Sequence, residues 1–237
     1  MDSAPAPPRV ERSLWPLALL AGLLPAAATA IAYLLSIQLG LVPACNPFVD
    51  GCVSISRAAR HDLPNLLFRA LLLPAAALQA ICWLLCPGWL RTLGAPPDRG
   101  QRALPWLGLA AAVCLVTYGS FLGTDGEGYR WLRRHAVPLY FGLTCIGMLV
   151  VSEQMQRRLK AGPQARRVAR ALWAVCLLLP LLGLAYVFVP LAWHAARDTI
   201  ENVTEWWGGA IFTAFFVVLA WAWRSTEFSV ELRSGGG

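Results

Sequence analysis

The residues best suited to chemistry in this chain are few, and they gather at the edges of long apolar runs. His61, His135 and His194 are its only histidines. Imidazole titrates near neutral pH and serves as acid, base or metal ligand. Arg69 stands inside an apolar run, about five residues from its start and so some 7–8 Å deep at about 1.5 Å per residue. An arginine at mid-membrane costs about 2.5–3.5 kcal/mol to insert, less near the interface where it can snorkel. Arg69 therefore either snorkels or meets a carboxylate, a lipid phosphate or a carbonyl, and Glu205 is the carboxylate expected to pair with it. His194, Arg197, Asp198, Glu201 and Glu205 follow at spacings of three, one, three and four. If the helix of the fifth run persists through them, they share one face.

Read as catalysis, His135 is a general base, Arg69 binds a phosphate or the developing oxyanion, and Glu205 orients one of them. Ser54 and Ser56 are candidate nucleophiles, although neither lies on a nucleophile elbow. With Arg57, His61, His194 and Asp198 they are expected to contact the substrate. The leading expectation is a site without metal or cofactor. The alternative is zinc on His61, His135 and His194, since three histidines suffice for a metal that keeps one position open. Cys45 and Cys52 frame Asn-Pro and Asp-Gly turn signals, and a disulfide between them is expected in an oxidising compartment, with free thiols as the alternative. No phosphate-binding loop, dinucleotide fingerprint or His-Glu-x-x-His motif is present.

The elements that must position these residues follow from composition. Hydrophobic residues make up 57% of the 237 and charged residues 14%, with mean hydropathy +0.55. A soluble domain carries roughly 25% charged residues. About 20 apolar helical residues cross the hydrocarbon of a bilayer, and six runs qualify, at about 14–40, 64–87, 104–123, 136–154, 169–193 and 204–223. The expected fold is all-α: a polytopic membrane protein with a bundle of six transmembrane helices. Residues 1–13, rich in Pro and Ala, are expected to be a disordered cytoplasmic tail, 14–226 the membrane domain, and 227–237 a C-terminal tail ending in a linker remnant.

Net charge is +7, yet its distribution speaks for topology. With both termini inside, 13 of the 20 Lys+Arg face the cytoplasm, six face outward and Arg69 lies within a span. That is the positive-inside pattern, and it predicts N-in/C-in. The basic excess then serves topology and anionic lipid head groups rather than nucleic acid. Arg outnumbers Lys 19 to 1, which suggests a GC-rich bacterial genome and hence a bacterial inner (plasma) membrane.

The segment "CNPFVDGCVSISRAARHDLPNLLFRALL" (45–72) resembles the first outer loop and second span of the six-span DRAM/SFK-type membrane proteins. The similarity is greatest to the branch that remodels the lipid of GPI anchors after attachment, with its CWH-type N-terminal relatives. Ser54, Ser56, Pro64 and Arg69 stand where that branch has a Ser-x-Ser segment, a proline and an intramembrane arginine. His135 resembles the family's histidine at the head of span four. "TEWWGGAIFTAFFVVLAWAW" (204–223) resembles its last span, which opens on an acidic-aromatic pair, here Glu205-Trp206. The chain departs from the pattern at Arg57 and Arg60, where the family has small residues. A bacterial member would have no GPI anchor, so the resemblance implies a fold and a lipid-facing site rather than that substrate.

Two functions follow as expectations. One is lipid remodelling, acyl transfer or hydrolysis on a glycerolipid or lipid-linked glycan at the outer leaflet. The other is a non-enzymatic protein that binds membrane lipids or scaffolds a membrane-protein partner through the basic loop near 157–170. A transporter ranks below both, because the span centres lack charge and the paired broken-helix pattern.

Overall fold

The computed structural model describes residues 10–157, 162–192 and 197–232. Among them, six helices are long and apolar enough to cross a membrane. They are α1 (Trp15–Gln38), α3 (Asp62–Thr92), α4 (Arg99–Phe121), α5 (Glu127–Gln156), α6 (Gly162–Ala192) and α7 (Arg197–Ser225). A one-turn helix, α2 (Ile55–Ala58), precedes α3, and two short strands, β1 (Val10–Ser13) and β2 (Ser229–Leu232), flank the bundle. In hydrocarbon every backbone N–H and C=O must find a partner within its own segment, which is why the apolar runs are helical. Local signals set the starts. Pro16 sits in the first turn of α1, where its missing N–H is no loss. Asp98 caps α4 by accepting the Gln101 N–H at 2.7 Å.

The spans form a closed ring in chain order: α1 on α3, α3 on α4, α4 on α5, α5 on α6, α6 on α7, and α7 back on α1. Of these neighbours α5 and α6 meet least closely. Trp83 of α3 fills the middle, stacked on Phe215 of α7 at 5.8 Å between ring centroids. It fits because Gly108 of α4 and Gly147 of α5 have no Cβ. One added at Gly108 would lie 2.1 Å from the Trp83 Cβ, and one at Gly147 3.0 Å from its ring. Gln79, buried beside it, donates to the Ala21 carbonyl at 3.1 Å and accepts from the Tyr140 hydroxyl at 3.0 Å, tying α1, α3 and α5. Outward, Leu66, Trp106, Val113, Leu181 and Phe188 are all more than half exposed. A soluble protein avoids such a girdle; a lipid-sheathed bundle requires it.

Three sequence expectations change. Val10–Ser13, assigned to a disordered tail, pairs antiparallel with Ser229–Leu232, Val10 opposite Leu232 and Ser13 opposite Ser229. Because α1 and α7 are ring neighbours, their extensions emerge side by side and pair. Both ends of the bundle's chain therefore leave from one face, termed here the terminal face; the opposite one is the distal face. Helix α5 begins at Glu127 rather than near 136, so its polar first turns project as helix from the distal face. The polar stripe does not continue α6, which ends at Ala192; Arg197, Asp198, Glu201 and Glu205 belong to α7.

Candidate functional site

At the distal face the segment between α1 and α3 is sewn onto the start of α7. Cys45 and Cys52 form a disulfide across a turn in which Asn46 N–H donates to Asp50 Oδ2 at 2.8 Å. Phe48 packs edge-on against both Trp206 and Trp207. Trp206 Nε1 donates to the Val53 carbonyl at 2.9 Å, Trp207 Nε1 to the Phe48 carbonyl at 3.1 Å, and Asn202 Nδ2 to the Gly51 carbonyl at 2.8 Å. The chain then turns into α2, capped by Ser54, whose hydroxyl accepts the Arg57 N–H at 3.1 Å. Ser54 and Ser56 hydroxyls lie 3.1 Å apart, and the Ser56 N–H donates to Glu205 Oε1 at 3.3 Å.

A second set of bonds fixes this segment against the α4–α5 turn. Buried Asn65 donates its amide to the Ala59 carbonyl at 2.9 Å and the Leu122 carbonyl at 3.1 Å. Gly123, at φ +82°, lets the turn approach so closely that a Cβ would lie 2.4 Å from the Arg60 carbonyl. Arg133 closes the turn from α5, its Nη1 donating to the carbonyls of Phe121 and Thr124.

Between these supports lies a cleft of about 790 Å³ bounded by α4, α5, α6 and α7. Its mouth holds four guanidinium groups, Arg60, Arg130, Arg133 and Arg134, together with Glu201, Glu205 and Ser56. Glu201 is engaged by Arg197 at 3.2 Å. Deeper, the lining turns apolar: Phe141, Gly142, Cys145, Leu179, Pro180 and Phe212. From Arg130 to Cys145 the wall follows α5 for fifteen residues, about 22 Å of helix. Arg130, Arg134, Val137, Phe141 and Cys145 recur at three- to four-residue spacing, which keeps them on one face. A smaller chamber of about 80 Å³ lies behind and shares Tyr118, Val137, Phe141, Glu205 and Phe212 with the cleft. The Tyr118 hydroxyl, at the junction, is buried and has no hydrogen-bond partner among the described residues. Leaving such a group unmet costs about 1–3 kcal/mol.

Of the residues singled out in the sequence, Glu205 and Ser56 line the cleft, and Ser54 stands one hydrogen bond behind Ser56. The others do not line it. Arg57 is exposed at the end of α2, His61 is exposed at the start of α3, and Asp198 is exposed in the first turn of α7. His135 is exposed on α5, its Nδ1 2.8 Å from the Trp131 carbonyl and its ring against the Trp131 indole. Arg69 is half-buried on α3, and among the described residues it has no hydrogen bond or ion pair with Glu205. His194 lies outside the described residues. Among the described residues no three His, Cys, Asp or Glu side chains converge.

The residues that sequence reasoning passed over are the cleft arginines and Tyr118. A signal existed. Six Lys or Arg stand around the α1–α3, α4–α5 and α6–α7 turns, and four of them line the cleft. Three of the four recur at i, i+3, i+4 in "RWLRR".

Comparison with protein-family models, curated proteins and solved structures finds no match.

Proposed function

We propose that this is an integral membrane protein, with both termini cytoplasmic, that binds the head group of a phosphate-bearing lipid at the outer interface of a bacterial inner membrane. One observation carries the reading: a single cleft joins four guanidiniums at its mouth to an apolar base about 22 Å further along α5. Guanidinium binds phosphate through paired, charge-assisted hydrogen bonds, and the apolar base accepts hydrocarbon. The orientation is supported by the thirteen cytoplasmic-side Lys+Arg.

The test is native mass spectrometry of the purified protein titrated with the host's lipid extract. Wild type retains a phospholipid, and Arg130→Ala/Arg134→Ala loses it. Charge-assisted bonds are worth about 1.5–3 kcal/mol each; both arginines are exposed, so a loss of roughly tenfold is expected for the pair. Unchanged retention refutes the reading.

A second reading, acyl transfer or hydrolysis of a glycerolipid ester in the same cleft, is favoured by the carboxylate of Glu205 beside Ser56 where the two chambers meet. There Glu205 would take the general-base role and a cleft arginine would hold the oxyanion. The same experiment reads it, as deacylated or newly acylated products that vanish in Glu205→Gln.

A further inference from the structure

Pro138 and Gly142 of α5 and Pro180 and Gly183 of α6 line the cleft and are exposed. These are the two neighbouring spans that meet least closely. A Cβ built at Gly142 or Gly183 finds nothing within 4 Å, whereas one at Gly208, deeper on α7, would press on Phe141 at 3.0 Å. The two outer glycines therefore border open space rather than a packed contact.

Size narrows the occupant. A water molecule's share of liquid volume is about 30 Å³, and a methylene is of similar bulk. A sixteen-carbon chain then fills about 480 Å³, and a cleft of about 790 Å³ has room for it. The orphaned Tyr118 hydroxyl points to a ligand that brings a polar atom to the junction of head and chain.

Resting on the lipid-binding reading above, we propose that the slot between α5 and α6 is a lateral portal. One acyl chain of a bilayer phospholipid enters the cleft through it, while the second chain stays in the membrane. The phosphate meets Arg60, Arg130 and Arg134, and an ester or glycerol oxygen meets the Tyr118 hydroxyl. Arg133, committed to two backbone carbonyls, holds the mouth in shape.

The experiment uses Gly142→Leu and Gly183→Leu, singly and together. Both positions are helical and an added Cβ meets nothing within 4 Å, and replacing helical glycine favours the helix. Thermal stability therefore controls for folding. Binding is measured by native mass spectrometry for dipalmitoyl phosphatidylglycerol, and by calorimetry for water-soluble glycerophosphoglycerol and inorganic phosphate. Filling the slot should weaken the two-chain lipid by roughly tenfold, the equivalent of about two displaced methylenes. Binding of the chainless phosphates should change less than about twofold, while Arg130→Ala/Arg134→Ala weakens all three. If the leucine variants bind the lipid as wild type does while the arginine variants fail, the portal is refuted and the head-group site stands. If neither set matters, the lipid reading itself falls.

Discussion

Asn65 offers the most direct trial of how the mouth of the cleft is held. Its side chain is 8% exposed and gives both amide hydrogens to backbone carbonyls, Ala59 at 2.9 Å and Leu122 at 3.1 Å, in residues that are themselves 0% and 2% exposed. Asn65→Ala strands both acceptors. An unmet buried group costs about 1–3 kcal/mol. With some relaxation around the site, the sum expected is about 2–4 kcal/mol. For a chain of this size each kcal/mol moves the midpoint by about 2–4 °C, so the loss should be roughly 5–15 °C. Asn65→Asp should be at least as harmful, because it turns acceptors toward two carbonyls. The assay is thermal unfolding in detergent, followed by tryptophan fluorescence, alongside lipid retention. Because Asn65 joins the segment carrying Ser56 and Arg60 to the α4–α5 turn, retention should fall at temperatures where the variant is still folded. A variant melting within about 2 °C of wild type with full retention would refute the claim that this amide frames the site.

Three further outcomes are expected. Replacing Cys45 and Cys52 by serine releases an eight-residue loop, so thermal midpoints should fall by the equivalent of about 2–3 kcal/mol, and an equal loss should follow reductant in wild type. Tyr118→Phe removes a buried hydroxyl that lacks a partner, so the ligand-free protein should melt no lower than wild type while its affinity for phospholipid drops; calorimetry with and without lipid checks both. Glu205→Gln removes a negative charge from a mouth lined by four arginines. Phosphate should bind a few-fold tighter, and any turnover of lipid ester should stop.

The spans were legible because about 20 consecutive apolar residues carry their own signature. The helix ends were not. Hydropathy marks where a chain leaves hydrocarbon, but α5 runs on through "EGYRWLRRH", whose polar turns are as helical as the span below them. The cleft arginines were hidden by this, since they become a row only once that segment is a helix. Tyr118 was hidden inside an apolar run with nothing local to mark its hydroxyl as unmet. Scarcity and a shared side of the membrane do not by themselves make histidine side chains converge, and His61 and His135 are exposed and do not line the cleft. Glu205 and Ser56 were legible as polar residues at span edges, but their meeting depends on a fold that brings residues 149 positions apart into contact.

The seat of the disulfide loop on α7 has a consequence for how the protein is made. Gly51 and Asn202 are separated by 151 residues, and Val53 and Trp206 by 153. At about 5–20 residues per second the ribosome takes roughly 8–30 s to cover that interval. During it the second to fifth spans are made one after another while Phe48, with no indole to rest against, faces whatever surrounds the nascent chain. The ring closes, the terminal strands clip and the mouth takes shape in one late event, when the final helix arrives. Truncating that helix would therefore leave no smaller working protein, only a bundle open along the side where its cleft should be.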